Sequence, residues 1–432
     1  MDRYYKDFEV KKILFLGPEV SDFLNPLAKK LQVMGFAVDL LENRKVPRSS
    51  ETISESYSNV LNHNDLSGRR ITIVKILKYL LTIEFYKTLI KILFFNCLED
   101  KAQLLKSIRK TFADQHNKEI FSPTLNSYDI INFHSLSVGT LSIVNYISPR
   151  VKIILSYWGS DLFQIWGSED DKCCYSDKYY LQLEALKRAD IITVHSYEME
   201  RAVVAKFGQD VKDKIVRLLF GIKDELFDQM DHIKQNSPDL NFLKKYNIPE
   251  NKIKITVGYC GDPICNHLPI LEELNKFDAV TKLKIHLLVP MTYGYFTNEY
   301  MQQVILKLKE SEISFTLFDK YLPLDELLKF RVTSDIMIMM NKSDALSASV
   351  CEAIYADNLL ISAGWLPYSP LRLEKIFFYE TDFSQLGETV KYALSNFDEV
   401  IAKLVNNPAG IKKLTSSNST VQQWIDLLNS LS

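Results

Sequence analysis

The chain has 432 residues, which exceeds what a single hydrophobic core usually serves and predicts two or three domains. Its 52 basic and 54 acidic residues give a net charge of −2, so nothing in the overall charge favours nucleic acid, and no nucleic-acid partner is expected. A hydrophobic content of 47% and a charged content of 25% are ordinary for globular proteins and exclude a disordered chain.

The start of the chain and its cysteines both indicate a cytoplasmic protein. The opening, MDRYYKDFEVKK, has no apolar core and does not fit a secretory signal peptide. No uncharged apolar run of about 18 residues occurs, so a membrane-spanning helix is not expected. The six cysteines show no paired metal spacing, so we expect reduced thiols and no metal site.

The chain opens with a strand, a helix and a second strand. The apolar run Lys12–Leu16 predicts a buried parallel strand that ends at Gly17. A helix with Asn25 as its N-cap is expected to run to about Gly35, before a strand at Phe36–Leu41. Further strands are predicted at Tyr128–Phe133, Lys152–Ser156 and Asp190–Val194. Strands that alternate with helices are typical of an α/β fold with a parallel sheet covered on both faces.

Residues 71–110 combine Leu, Ile and Phe at helical spacing with lysines on the other helix faces. The lysines include Lys75, Lys78, Lys87 and Lys91. This pattern is typical of helices that lie on an anionic membrane surface, which is one interpretation of the segment. A pair of inserted helices packed on the domain would give the same pattern, so the sequence leaves both open.

A second alternating unit follows a polar stretch, residues 226–250, which is the predicted linker. Strands are predicted at Ile253–Tyr259, Lys284–Val289, Ser314–Phe318, Ile336–Met340 and Ile376–Phe378, with helices at Leu268–Phe277, Asn298–Ser311 and from about Phe383. We therefore predict two doubly wound Rossmann-like domains, residues 1–225 and 251–412, that face a central cleft. A terminal helix in residues 413–432 is expected to pack on either half.

Two carboxylates flank the start of a predicted helix. Asp344 lies in the loop after the strand Ile336–Met340, and Glu352 lies in the first turn of the helix that follows. Ligands of open α/β sheets bind beyond the carboxyl ends of the strands, so both acids are expected to face a ligand and hold its hydroxyl groups. Ser349 and Glu352 also fit a capping box, which would satisfy the helix start without any ligand.

Other loops at predicted strand ends supply further polar candidates. They contain Gly17, His134, Trp158 and Asp161 in the first unit and Gly261, Asn266, His267 and Tyr293 in the second. Glycosyl transfer needs a site for an anionic leaving group, polar groups for sugar hydroxyls and sometimes a base. Ser347 and Ser349 at the helix start, with Lys342 beside them, fit the anionic part. Turns, interior histidines and helix caps are the ordinary structural explanations of the same residues.

Over nearly its whole length the chain resembles a GT-B glycosyltransferase of the glycogen-synthase-like family 4. The motifs behind this resemblance are WGSD at 158–161, where that family commonly has HGSD, RADIITVHS at 188–196, FGIKDELF at 220–227 and SDIMIMMNKSDALSASVCEAI at 334–354. The C-terminal half also resembles the family that transfers 4-acetamido-4,6-dideoxygalactose, through VGYCGDPICNH at 257–267 and LLVPMTYGYFTNEY at 287–300.

The resemblance implies a nucleotide-sugar donor, UDP- or dTDP-linked, in the C-terminal domain, an acceptor in the N-terminal domain, and no cofactor or metal. Glu352 would bind the ribose, Asp344 the transferred sugar, and the helix start at Ser347 and Ser349 the diphosphate. The rest of the donor pocket would comprise Gly261, Asn266, His267 and Tyr293. The acceptor side would comprise Gly17, Trp158, His134 and Asp161, with either of the last two polarising the acceptor hydroxyl.

The chain departs from family 4 in two places. That family has two glutamates separated by seven residues, and this chain has Asp344 in place of the first of them. The family also has an Arg and a Lys after the first strand of the second domain, where this chain has Asp262, Asn266 and His267. The phosphates would then be bound by Lys320, Arg331, Lys342 or backbone amides, and the sequence does not choose among them.

The expected function is transfer of a hexosyl-type sugar to a glycan or lipid-linked acceptor in bacterial surface polysaccharide synthesis. The family 4 pattern favours retention of the anomeric configuration. The expected location is the cytoplasm, with peripheral contact at the inner face of the cell membrane. The alternative is a catalytically silent GT-B subunit that binds a glycan or a partner enzyme, and an epimerase or phosphorylase of the same architecture is a third option.

Overall fold

The structure is a computed structural model. It describes residues 10–17, 23–42, 56–62, 81, 86, 117–134, 136–163 and 172–431. The predicted membrane-facing segment, residues 71–110, lies outside the described residues apart from two isolated positions. No helix among the described residues combines the length and apolar character needed to cross a membrane.

Seven strands of the first half form one parallel sheet in the order β3-β2-β1-β4-β5-β6-β7. The strands are β1 Lys12–Gly17, β2 Ala37–Glu42, β3 Val60–Asn62, β4 Ile130–His134, β5 Lys152–Ser156, β6 Ile191–Val194 and β7 Ile215–Arg217. The helices described around it are Leu24–Val33, 117–125, Val138–Ser142, Ser160–Phe163, Lys172–Arg188 and Tyr197–Phe207, with 3-10 turns at Ile143–Tyr146 and Gln209–Lys214. We call this sheet and its helices the first lobe.

Six strands of the second half form another parallel sheet, in the order β10-β9-β8-β11-β12-β13. The strands are β8 Ile253–Val257, β9 Ile285–Pro290, β10 Ser314–Phe318, β11 Ile336–Met339, β12 Leu359–Ala363 and β13 Tyr379–Thr381. Its helices are Asp224–Gln235, Leu240–Lys245, His267–Asn275, Ala279–Lys284, Asn298–Glu310, Leu324–Thr333, Ala348–Tyr355, Ser369–Leu373, Phe383–Ser395, Phe397–Lys403 and Asn407–Thr415, with a 3-10 turn at Pro263–Cys265. We call this unit the second lobe.

Alternation along the strands explains why both sheets are covered on both faces. In β1, Leu14 and Leu16 join the core on one face of the first sheet, while Ile13 and Phe15 join the core on the other. A strand that is apolar on both faces needs a layer of helices on each side, which the alternating chain supplies. The predicted α/β class with two doubly wound sheets is therefore confirmed.

The strand order places a crevice in each lobe. In the first sheet the order reverses between β1 and β4, and in the second it reverses between β8 and β11. Connections leave such a pair of strands in opposite directions, so an open crevice forms beyond their carboxyl ends. These crevices receive the loops that begin after Gly17, His134, Val257 and Met339.

Several local predictions need correction. The last strand is Tyr379–Thr381 rather than Ile376–Phe378. Asn25 is not the N-cap of the first helix, which begins at Leu24, and its side chain instead accepts a hydrogen bond from Tyr57. The short edge strands β3 and β7 were not predicted, because three residues are too few to show a period.

The predicted linker, residues 226–250, is not an open connection. It contains most of the helix Asp224–Gln235 and all of Leu240–Lys245. Leu226, Phe227 and Met230 are buried in the core of the second lobe. The polar composition reflects the outer face of an amphipathic helix. The domain limits at 225 and 412 stay predictions.

The terminal helix, Ser417–Ser430, packs on the first lobe. Trp424 is buried there, stacks on Phe220 with the ring centroids 5.4 Å apart, and donates from its indole N–H to the carbonyl oxygen of Leu219 at 3.1 Å. A side chain at Gly221 would collide with Ser417 and Thr420, so the crossing requires glycine there. The helix therefore ties the end of the chain back to the first sheet.

Candidate active site

A cleft runs between the lobes at the two crevices. It contains two adjoining cavities of about 420 Å³ and about 400 Å³. Both are lined by Phe23 and Trp158 from the first lobe and by Tyr259, Tyr293 and Ser347 from the second. The central cleft predicted from the sequence is therefore present, and it is of a size that suits a small organic ligand.

Asp344 lies on the wall of the larger cavity, in the loop that follows β11. It is 8% exposed, and its Oδ2 accepts hydrogen bonds from the amide of Ser347 at 3.0 Å and from the hydroxyl of Tyr368 at 2.7 Å. Burial raises the pKa of this carboxyl. Asp344 thus holds the loop that starts the next helix while bordering the cleft.

Glu352 lies on the wall of the smaller cavity and is paired with Arg331. Nε of Arg331 donates to Oε2 of Glu352 at 3.1 Å, and a terminal nitrogen of Arg331 donates to Oγ of Ser349 at 2.8 Å. Only 4% of the Arg331 side chain and 10% of the Glu352 side chain are exposed. Oε1 of Glu352 has no hydrogen-bond partner among the described residues and can accept one from a ligand hydroxyl.

The capping-box alternative for Glu352 is wrong. The helix starts at Ala348 with Ser347 as its N-cap, so Ser349 lies inside the first turn. Ser349 binds Arg331 instead of a backbone amide, and Glu352 does likewise. An ion pair to a residue on the preceding helix therefore replaces the local capping pattern.

Ser347 borders both cavities at the start of this helix. Its side chain makes no capping hydrogen bond, and its buried Oγ has no partner within hydrogen-bonding geometry among the described residues. The free amides of a helix N-terminus and the helix dipole both favour an anion at this position. An unpaired hydroxyl beside them adds a further donor.

Arg331 is the only lysine or arginine among the described residues that line the two cavities. Lys342 and Lys320, the other two basic candidates, are exposed and do not border them. Of the three basic residues between which the sequence could not choose, only Arg331 borders the cleft, and the backbone amides of the helix start remain the other candidate.

The remaining donor-side candidates form and support the loop after β8. The amide of Gly261 donates to the carbonyl of Tyr293 at 2.7 Å, and a side chain at Gly261 would collide with Phe296. Tyr293 itself lines both cavities. Tyr293, in the loop after β9, therefore borders the cleft directly, and Gly261, in the loop after β8, positions it.

Asn266 and His267 lie beneath the cavities and do not line them. Asn266 adopts a left-handed backbone (φ 56°) and donates from its side chain to the carbonyl of Met340 at 2.7 Å. His267 is fully buried, its Nδ1 lies 3.1 Å from the hydroxyl of Tyr300, and burial lowers its pKa to about 4. Both residues fix the loop.

On the first lobe, Trp158 lines both cavities, whereas Asp161 and His134 do not. Asp161 is 7% exposed and accepts from the amides of Trp158, Gly159 and Leu136 at 2.9 to 3.0 Å. His134 is fully buried and its Nδ1 accepts from the Trp158 indole at 3.3 Å. Burial, with His195 nearby, lowers the pKa of His134 to about 3. This placement gives Asp161 and His134 supporting roles behind Trp158 and does not favour either as the base.

Gly17 lies at the end of β1 and outside the cavity lining. A Cβ there would lie 3.1 Å from Cβ of His134 and 3.0 Å from a methyl of Leu24. Gly17 therefore permits close packing of two neighbouring strand ends.

His195 is a site residue that sequence reasoning missed. It follows β6, lines the larger cavity and, with Ser160, is one of the polar residues contributed by the first lobe. Its Nδ1 lies 3.0 Å from the carbonyl of Ala345 in the second lobe. A carbonyl only accepts, so Nδ1 carries the proton and Nε2 keeps a lone pair, which has no partner among the described residues. The motif at 188–196 contained this histidine, but only the fold places it at the cleft.

No protein-family model matches the chain, and no curated protein matches it significantly. Solved structures do match over almost its whole length. A glycosyltransferase from Rickettsia africae ESF-5 has a TM-score of 0.65 and 14% identity, with 98% of this chain and 99% of that chain covered. Sucrose-phosphate synthase from Thermosynechococcus elongatus has a TM-score of 0.67 and 11% identity, with 98% and 99% covered. Anabaena HepE in complex with UDP-glucose has a TM-score of 0.62 and 11% identity, with 97% and 99% covered.

These likenesses show the fold. Both lobes, their order in the chain and the cleft between them are those of the GT-B glycosyltransferase architecture, as the sequence predicted.

Proposed function

We propose that this protein is a glycosyltransferase that moves a sugar from a nucleotide-diphosphate donor to a glycan or lipid-linked acceptor. The observation that carries this proposal is the alignment of three groups along one wall of the cleft. These groups are the free Oε1 of Glu352, the unpaired hydroxyl of Ser347 at a helix start, and the buried carboxyl of Asp344. The ribose of a nucleoside needs a hydrogen-bond acceptor for its hydroxyls, a diphosphate needs hydrogen-bond donors, and a sugar again needs acceptors for its hydroxyls. The three groups on the cleft wall follow this order.

In this arrangement the donor lies along the second lobe. Glu352 accepts from the ribose hydroxyls through Oε1, in the cavity that Tyr321 and Leu322 also line and that the base would enter. The diphosphate lies at Ser347 and the helix amides, with Arg331 as the nearby positive charge. The sugar then points toward Asp344 and the larger cavity, where the first lobe closes the cleft.

The acceptor side is largely aromatic. Phe23, Trp158 and Phe220 line the larger cavity from the first lobe, and aromatic faces suit the apolar faces of sugar rings. His195 packs edge-on against Phe220, with the ring centroids 5.1 Å apart, Nδ1 bound to the carbonyl of Ala345 and the lone pair on Nε2. We place the acceptor hydroxyl near this histidine rather than near Asp161 or His134.

The biological setting is proposed from the resemblance of the sequence motifs. It comprises bacterial surface polysaccharide synthesis, a metal-independent reaction with retention, and action in the cytoplasm at the inner face of the membrane. HepE, a structural neighbour, has been solved with UDP and with UDP-glucose, which supports a UDP-linked donor as the first to test.

The test is calorimetric titration of the purified protein with UDP and dTDP, followed by incubation with a panel of UDP- and dTDP-sugars to measure slow donor hydrolysis. We expect binding of at least one nucleotide, weakened about 3- to 10-fold by Ser347→Ala, because one hydrogen bond is worth roughly 1 kcal/mol. Lys342→Gln, an exposed change outside the cavity lining, is the matched control and leaves binding unchanged. Absence of nucleotide binding and of hydrolysis would favour the silent-subunit alternative.

A further inference from the structure

Two thiols face each other beneath the donor side of the cleft. Sγ of Cys260 lies 3.6 Å from Sγ of Cys265, and both residues are buried. Cys260 lines the larger cavity, whereas Cys265 lies behind it. The pair belongs to the loop after β8, whose neighbours Tyr259 and Asp262 also border the cleft.

Local geometry holds the thiols together. Gly258 has φ +69° and passes close to Cys265, and the amide of Cys265 donates to the carbonyl of Asp262 at 2.9 Å. The side chain of Asp262 caps the same turn by accepting from the amide of Ile264 at 3.0 Å. Because these contacts hold both ends of the turn, the folded chain keeps the two sulfur atoms next to each other.

The separation suits a reversible covalent link. A disulfide needs its sulfur atoms about 2.05 Å apart, so each sulfur would have to move by less than about 1 Å. The hydrogen bond between the thiols lowers the pKa of Cys265 and, together with burial, raises that of Cys260. The pair therefore loses its first proton mainly from Cys265, and the Cys265 thiolate is placed to accept the proton of Cys260, the thiol that borders the cavity, as Cys260 attacks.

We propose that Cys260 and Cys265 form a redox modification site, in which an intramolecular disulfide made by a small organic disulfide reshapes the donor pocket. Sγ of Cys260 attacks the reagent RSSR while its proton passes to the Cys265 thiolate, so that a Cys260–S–S–R bond forms and one thiolate RS⁻ leaves. Cys265 then attacks Sγ of Cys260, closes the Cys260–Cys265 bond and releases the second RS⁻. The two RS⁻ groups take up the two protons of the original thiols, so the protein is oxidised and RSSR is reduced to two RSH.

The expected effect on nucleotide binding rests on the proposed function. Drawing Cys260 toward Cys265 moves Gly261, whose amide holds the Tyr293 carbonyl and which packs on Phe296 without room for a side chain. Tyr293 borders both cavities, so its displacement disturbs the donor pocket. We expect UDP or dTDP affinity to fall by about tenfold and to recover after reduction, which corresponds to a change of about 1.4 kcal/mol.

The experiment treats the reduced, folded full-length chain with 2-hydroxyethyl disulfide, then unfolds it in urea with iodoacetamide so that every remaining free thiol is blocked, and maps the tryptic peptides. Residues 255–276 contain both cysteines and no internal Lys or Arg, so one peptide reports the link by the loss of two hydrogen atoms. The expected result is a linked peptide with Cys351 still alkylated. A peptide that remains doubly alkylated, or that stops at a mixed disulfide, overturns the proposal.

Variants separate the two steps of the exchange. Cys265→Ala should trap the mixed disulfide on Cys260, and Cys260→Ala should leave the peptide unreactive because Cys265 does not border the cavity. Cys351→Ala is the matched control, because this buried cysteine lies in the same cleft and its loss should not change formation of the link. If the link forms and nucleotide affinity is unchanged, the effect on the donor pocket is refuted. Reduced protein that binds neither UDP nor dTDP counts against the proposed function alone, because the peptide readout uses no nucleotide.

Discussion

Replacing Glu352 by glutamine tests whether its carboxylate binds a nucleotide or only neutralises Arg331. The change keeps the size of the side chain and one acceptor oxygen, and it removes the charge opposite a guanidinium that is 4% exposed. Removing one partner of a buried pair costs about 3–5 kcal/mol, and we expect the lower end because the amide oxygen still accepts from Nε of Arg331. The free energy of unfolding should therefore fall by about 3 kcal/mol.

Nucleotide binding should weaken for a separate reason. A hydrogen bond to a charged group is worth about 1.5–3 kcal/mol and one between neutral groups about 1 kcal/mol. Loss of the charge at Oε1 should cost roughly 1–2 kcal/mol of UDP binding, or about 5- to 30-fold in Kd. Urea unfolding and calorimetric titration measure the two quantities independently.

The double variant Arg331→Met with Glu352→Gln separates the two effects. It removes both charges, so stability should return to within about 1 kcal/mol of the wild type, while UDP affinity stays low because the Arg331 charge near the diphosphate is lost as well. Glu399→Gln is the control, because it removes one partner of an exposed ion pair and should change stability by less than about 1 kcal/mol. Wild-type UDP affinity in Glu352→Gln, or recovery of affinity in the double variant, would refute a direct contact between Glu352 and the ribose.

Three further predictions concern the lobes and the interior. Trp424→Ala should lower the free energy of unfolding by about 3–5 kcal/mol, because it empties a buried site between the terminal helix and the first sheet. Urea unfolding measures this, and a loss below about 1 kcal/mol would contradict the packing. Gly159→Ala places a Cβ 2.7 Å from Cβ of Ala345 on the facing lobe, so the lobes should move apart and the radius of gyration in small-angle scattering should rise. Gly35→Ala is the control, because Gly35 has a similar positive φ and nothing lies within 4 Å of the added Cβ. His267 and His286 have pKa values lowered by burial to about 4, so the unfolded chain binds protons that the native chain does not, and stability should fall as pH drops from 6.5 toward 4. Each should contribute up to about 1.4 kcal/mol per pH unit in that window, and a urea midpoint that is constant between pH 7.5 and 5 would contradict the result.

Much of the candidate site could be predicted because it lies in one continuous segment. Asp344, Ser347 and Glu352 follow a single buried strand, and the rule that ligands bind beyond such strand ends places all three at the cleft. Asp161, Asn266 and His267 were drawn from the same kind of loop, but the structure uses them to fix backbone turns and neighbouring groups. A polar residue in a loop can bind a ligand or the loop itself, and the sequence pattern is the same in both cases.

The sequence by itself determined that the chain forms two parallel sheets, one in each half, because the alternation of apolar runs, glycines and helical periods is a local property. Residues such as Lys12–Gly17 carry that information without reference to the rest of the chain. Only the tertiary structure decided that Arg331 pairs with Glu352, that His195 meets Ala345 across the cleft and that Trp424 returns to the first sheet. Contacts of this kind join residues tens to hundreds of positions apart, and they depend on how complete lobes pack, which no local period encodes.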